Sequence, residues 1–196
     1  VYRIQRNYVK LHACCLYNHP ALDAVQTLLS REPLEAEAIA GITVISVPFV
    51  TRMSEPDPPN MLAAKFSVPY AVAAAVVTGG SGVAAFRDAT RANPRVRELA
   101  RRVEVRGEPT MSMRGAGPTA RVTVTLRDGR VLTATTAVVR GDAANPVSPA
   151  ELVAKFRALA GDVLGPTGTE RVIEIVDRLP ELKDVRELTE MLWTTS

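Results

Sequence analysis

A chain of 196 residues has room for one substantial core or two small ones, and 46% hydrophobic with 23% charged residues is the balance of a globule, which excludes a disordered or fibrous chain. Its 24 basic residues are interspersed with 21 acidic ones and leave a formal charge of only +3, so the concentrated positive field of a nucleic-acid binder is missing while a small anionic ligand stays compatible. No uninterrupted run of about 18 apolar residues occurs, so no membrane-spanning helix is expected.

The two cysteines, Cys14 and Cys15, are neighbours, and neighbours seldom meet the geometry of an ordinary disulfide. A reduced, cytoplasmic setting is the expectation. The chain opens at Val1, in mid-pattern and with no signal-like segment, as though a longer protein had been cut.

Alternation of apolar and polar residues predicts a first strand over Tyr2 to Leu11, with Lys10 near its end. Pro20 suits a first helical turn, and Ala21, Leu22, Val25, Leu28 and Leu29 recur at helical spacing as far as Arg31. The β-branched cluster between Ala38 and Val50 predicts a strand. Three prolines between Thr51 and Asn60 mark a stiff loop. Helix resumes at Met61, restarts at Pro69 and runs through the alanine- and valine-rich stretch to Val77, where Gly79, Gly80 and Gly82 stop it.

Val83 to Arg91 and Pro94 to Arg102 read as two short helices. Val103 to Val105 and Ala120 to Leu126 read as strands, and Asp128-Gly129 turns the second into a hairpin partner over Val131 to Val139. Gly107 to Thr119 reads as a mobile surface loop. Ser148 and Glu151 form a capping box that starts a helix to about Ala160, and two amphipathic helices follow over Thr169 to Arg178 and Asp184 to Leu192. The predicted class is α+β: a domain over 1–146 with a small, largely antiparallel sheet and flanking helices, then a helical segment over 147–196.

The chemistry concentrates in two islands. Lys10 to Ala24 holds both histidines, His12 and His19, both cysteines and a lysine. Ala63 to Val77 places Lys65, Ser67 and Tyr70 at the head of an otherwise apolar helix. Lys10 can set a positive charge against a substrate carboxylate, and Tyr70, just after Pro69, lies where a helix offers unpaired N–H groups to an anion. A shared pocket holding Lys10 and Tyr70 is expected. The spacing of His12, Cys14, Cys15 and His19 fits none of the usual zinc patterns, so no metal is expected. Gly79-Gly80-Ser81-Gly82 follows a helix, not a strand, and lacks the completing lysine of a phosphate loop.

Together, Lys10-Leu-His-Ala-Cys-Cys-Leu-Tyr-Asn-His-Pro-Ala-Leu-Asp-Ala24 and Pro59-Asn-Met-Leu-Ala-Ala-Lys-Phe-Ser-Val-Pro-Tyr70 resemble the MmgE/PrpD family, which includes 2-methylcitrate dehydratases, cis-aconitate decarboxylases and iminodisuccinate epimerases. The resemblance covers essentially the whole chain but less than half of a family member, its lid domain and terminal helices. It implies Lys10 and Tyr70 as catalytic groups and His19 as a group that shapes the pocket or contacts substrate, and it gives Lys65 a commonly basic position with no firm role; His12, Cys15 and Lys65 are expected as further substrate contacts because they share the two islands. Cys15 stands where the decarboxylases have a histidine, a departure that argues against decarboxylation. The implied reaction is cofactor-free dehydration of a small hydroxy-polycarboxylate such as 2-methylcitrate, with epimerisation as an alternative. The implied partners are an N-terminal helical domain or a partner chain, and a second copy in a homodimer. A non-catalytic assembly module or a plain anion-binding domain are the readings from other classes.

Overall fold

The computed structural model describes residues 2–113 and 119–193. Contacts divide the chain into two compact units at Pro146/Val147. In the first unit, helix α1 (His19–Arg31) precedes strand β1 (Ile39–Ser46), and helices α2 (Met61–Ala64), α3 (Val68–Thr78), α4 (Asp88–Arg91) and α5 (Pro94–Ala100) precede strands β2 (Val103–Gly107), β3 (Ala120–Leu126) and β4 (Val131–Thr136). The sheet order is β2-β1-β3-β4, with only the β1–β2 pair parallel. The class is therefore α+β.

Alternation decides which face of the sheet is covered. Ile42 and Val44 of β1, Val122 and Val124 of β3 and Ala134 of β4 point inward and are buried. The opposite face carries Thr123 and Thr133, paired through their hydroxyls at 3.3 Å, and the exposed Arg121 and Thr135. Helix α1 covers β3 and β4, and α3 packs between α1 and α5 and reaches β2. Every residue of α3 from Val68 to Val76 is buried, which its small side chains permit.

Helix starts follow the expected chemistry. Asn60 caps α2, Ser67 caps α3 and Asn93 caps α5 with side-chain oxygens, and proline occupies the first turn of α1, α3 and α5. Gly79 ends α3 in the left-handed region at φ 73°. At the hairpin, Gly129 adopts φ 89°.

The expected first strand does not form. Arg3–Arg6 is a 3-10 turn, and Tyr2 and Ile4 are 81% and 74% exposed, because two apolar residues among Arg3, Gln5, Arg6 and Asn7 bury too little to join a sheet. The chain instead runs irregularly past Gly141, where the Val9 N–H donates to the Gly141 carbonyl at 2.9 Å. Val83 to Phe86 is likewise a 3-10 turn before the four-residue α4, where a continuous helix was expected. Of the loop expected to be mobile, residues 114–118 lie outside the described residues.

The second unit begins with the capping box: the Ser148 hydroxyl accepts from the Glu151 N–H, and the Glu151 carboxylate accepts from the Ser148 N–H. The helix that follows, α6 (Pro149–Asp177), breaks at Gly165, which takes φ 67° just before Pro166. Glycine then proline is the stop-and-restart chemistry that separates the two helices read from sequence. An ion pair from Arg157 to Glu170 at 2.6 Å spans the break. Asp184 to Leu192, expected as one helix, is the single turn α7 (Arg186–Thr189) followed by a 3-10 turn over Glu190–Leu192. An apolar cavity of about 220 Å³ lies among Leu152, Val153, Phe156, Val172, Ile173 and Val176.

Gly141 adopts φ 92°, and a Cβ there would sit 1.9 Å from the Val9 carbonyl oxygen. Gly141→Ala should therefore lower stability by about 2 kcal/mol or more, read as a lower urea midpoint, and speed hydrogen exchange at the Val9 amide.

Candidate functional site

The loop between Lys10 and Asn18 is held from beneath by a polar chain that is buried except at Gln26. Gln26 donates to the Ser81 hydroxyl at 3.3 Å, Ser81 donates to His12 Nδ1 at 2.5 Å, and His12 Nε2 donates to Asp23 Oδ1 at 2.9 Å. The other Asp23 oxygen accepts the Arg140 backbone N–H at 2.8 Å. His12, Asp23 and Ser81 are all buried, so each partner is needed. Because the Asp23 carboxylate can only accept, His12 Nε2 carries a proton.

A second chain runs beside it. Tyr8 donates its phenol proton to His19 Nδ1 at 2.6 Å, and His19 Nε2 faces the Cys14 carbonyl at 3.4 Å. Burial, reinforced by the Asp23 carboxylate, raises the Tyr8 phenol far above its ordinary value, so it remains a donor. The two imidazoles meet edge to face with centroids 4.8 Å apart.

Lys10 is exposed, and its Nζ donates to the Cys14 carbonyl at 2.9 Å. The two islands meet through backbone. The Cys15 N–H donates to the Lys65 carbonyl at 2.9 Å, Asn18 Nδ2 donates to the same oxygen at 3.0 Å, and the Ala13 N–H donates to the Ser81 carbonyl at 2.9 Å. Burial pushes the Cys14 thiol up to about 12, against the opposing pull of the Asn18 side chain and, more weakly, of the Lys10 and Lys65 ammoniums. The Lys10 side chain and the Lys65 backbone therefore meet at the Cys14–Cys15 turn.

Tyr70 is placed differently from the expectation of a phenol open to a cavity shared with Lys10. It is 1% exposed, donates to the Ala85 carbonyl at 2.7 Å and lies against Phe86. The reason is its position on α3, a helix buried on all sides. Of the six residues singled out from sequence, the structure brings Lys10, His12, Cys15, His19 and Lys65 around one turn, while the Tyr70 hydroxyl is spent on the core. A polar cavity of about 550 Å³, lined by residues that include Asp23, Gln26, Thr27, Thr136 and Arg140, takes in neither Lys10 nor Tyr70. No group of three or more potential metal ligands occurs among the described residues.

Sequence reasoning passed over Tyr8, Asn18, Asp23 and Ser81. Asp23 carried no signal of its own, since helical spacing sets it with Gln26, Thr27 and Ser30 on the polar side of α1, away from Leu22, Val25 and Leu28, and only the folded chain brings His12 and the Arg140 N–H onto it. Asp23→Ala should lower stability by about 3 kcal/mol, against about 1 kcal/mol for Ser81→Ala, measured by chemical denaturation. Because burial raises both the Tyr8 and Tyr70 phenols, the folded chain holds those protons more tightly than the unfolded one. Stability is then whole below about pH 10 and declines above it as unfolded phenols ionise, and Tyr8→Phe should make that decline shallower.

The family model described as the MmgE/PrpD C-terminal domain matches residues 12–181. A cis-aconitate decarboxylase of Homo sapiens is 32% identical over 149 residues, which is 76% of this chain and 31% of that protein. The corresponding protein of Mus musculus is 29% identical over the same length, 76% of this chain and 30% of its own. A cis-aconitate decarboxylase of Aspergillus terreus (strain NIH 2624 / FGSC A1156) is 28% identical over 196 residues, 94% of this chain and 40% of its own length. The chain thus spans less than half the length of these relatives. The match of the family model over most of the sequence, together with these relatives, establishes that the chain belongs to the MmgE/PrpD family.

Proposed function

We propose that this chain supplies one part of the active site of a cofactor-free lyase acting on a small polycarboxylate, with dehydration of a hydroxy acid such as 2-methylcitrate as the reaction. The observation that carries the reading is the junction at the Lys65 carbonyl, which brings the loops of Lys10 and Lys65 together at the Cys14–Cys15 turn, where Lys10 Nζ is also held. Two lysines whose loops meet at one turn suit a substrate with more than one carboxylate. Family membership and the names of the relatives support the same substrate class.

In this scheme Lys10 binds a substrate carboxylate and lowers the cost of the negative charge that develops when the neighbouring C–H proton is removed, and the β-hydroxyl then departs. His12 and His19 have both ring nitrogens occupied, so they serve by holding the turn in shape rather than by exchanging protons. The Tyr70 phenol, pushed up to about 12 by burial, stays protonated, as a proton donor must. Its use on a substrate requires the contact with Ala85 to break.

Decarboxylation, the reaction in the relatives' names, is the competing outcome; Cys15, which the family resemblance sets where the decarboxylases have a histidine, counts against it. An assembly module is a second reading, favoured by the open apolar side chains of the second unit, among them Leu152, Leu159, Val163 and Trp193. A second copy in a homodimer, or an N-terminal helical domain, is the partner proposed for these surfaces. We expect a cytoplasmic protein.

The test uses the full-length protein that contains this chain, assayed separately with 2-methylcitrate and cis-aconitate. Water loss from the first without carbon dioxide release from the second is the expected result, and the reverse pattern overturns the dehydratase assignment. Lys10→Ala should lower kcat/KM by at least about 100-fold, and near-normal turnover in that variant removes Lys10 from the mechanism.

A further inference from the structure

One peptide unit carries an unusual share of this site. The Cys14 carbonyl accepts Lys10 Nζ at 2.9 Å and faces His19 Nε2 at 3.4 Å, while the N–H of the same peptide, from Cys15, donates to the Lys65 carbonyl at 2.9 Å. That peptide joins two free cysteines. Their settings differ. Cys14 is 5% exposed with its thiol held protonated by burial, whereas Cys15 is half-buried.

We propose that Cys14–Cys15 is a redox modification site, at which hydrogen peroxide converts the pair to a disulfide between neighbours and turns the peptide that anchors Lys10 to the Lys65 loop. Cys15, the more accessible thiol, attacks as its thiolate. Its sulfur bonds one peroxide oxygen, the O–O bond breaks, and the departing hydroxide takes up a proton as water. The Cys15 sulfenic acid is then attacked by Cys14, which gives up its proton as the S–S bond forms and a second water leaves. The two sulfurs together lose two electrons, and the peroxide gains them. The Lys10 and Lys65 ammoniums favour the negative charge that Cys14 develops as it attacks.

Geometry makes the product reversible. Consecutive Cα atoms across a trans peptide lie about 3.8 Å apart, whereas ordinary disulfides begin at about 4.4 Å. Such a ring is strained and readily reduced, the property of a switch and not of a brace. It also forces the intervening peptide away from its present orientation. The Cys15 N–H and the Cys14 carbonyl cannot then both keep their partners.

The test exposes the purified 196-residue chain to hydrogen peroxide and follows intact mass, thiol alkylation and amide hydrogen exchange. The expected product has lost two hydrogens, resists alkylation at both cysteines and returns to the starting mass with dithiothreitol. Exchange at the Cys15 amide should rise about tenfold in the oxidised form. Cys14→Ser should stop at a Cys15 sulfenic acid that a dimedone reagent captures, and Cys15→Ser should leave the Cys14 thiol unreacted over the same exposure. Added oxygen atoms without hydrogen loss, disulfide-linked dimers alone, or two untouched thiols would overturn the proposal in the unsubstituted chain, whatever the variants do. A disulfide that forms with unchanged Cys15 exchange overturns its effect on the anchor. None of these readouts involves turnover, so they stand apart from the proposed reaction.

Discussion

The Asp23 carboxylate is the constraint on which the first unit's chemistry rests. One oxygen holds His12 and the other holds the backbone just beyond β4, so a single side chain on α1 fixes both the loop above it and the chain leaving the sheet. A buried carboxylate is tolerable only when such donors surround it, and here they do. The consequence runs outward through His12 to Ser81 and Gln26, and alongside through His19 to Tyr8. What looks from outside like a flexible loop rich in reactive side chains is a surface turn on a buried, hydrogen-bonded foundation.

That foundation separates two kinds of residue. His12 and His19 have their ring nitrogens committed below the surface, while Lys10 is exposed and Lys65 half-buried above it. The rigid groups are polar and neutral or paired, and the lysines nearer the surface are cationic. A turn held this way needs no ordering of a mobile loop, which is the cost that the proposed binding would otherwise carry.

Much of the architecture was legible in the sequence because it rests on local chemistry. Proline in first turns, side-chain caps at Asn60, Ser67, Asn93 and Ser148, and the Asp128-Gly129 turn each specify their element within a few residues. The failures came where distant partners decide. Tyr2 to Leu11 alternates like a strand, but a strand needs a neighbour, and Gly141 draws the chain elsewhere. The site followed the same division. The cluster of Lys10, His12, Cys15 and His19 is adjacent in sequence and so was visible, whereas Ser81 reaches His12 across 69 positions. Tyr70 was misjudged in orientation because its place at a helix start says nothing about which neighbours enclose that start.

Helix α3 has no free side. Ala73, Ala74 and Ala75 are fully enclosed, and an added methylene at any of them has nowhere to go except into α1, α5 or the sheet. Across the sheet, Arg121, Thr135 and their neighbours face outward and touch little. Descendants of this chain are accordingly free to diversify on the threonine-bearing surface while the alanine helix stays nearly invariant in volume, and the lysine-bearing turn inherits its steadiness from the side of the molecule that cannot change.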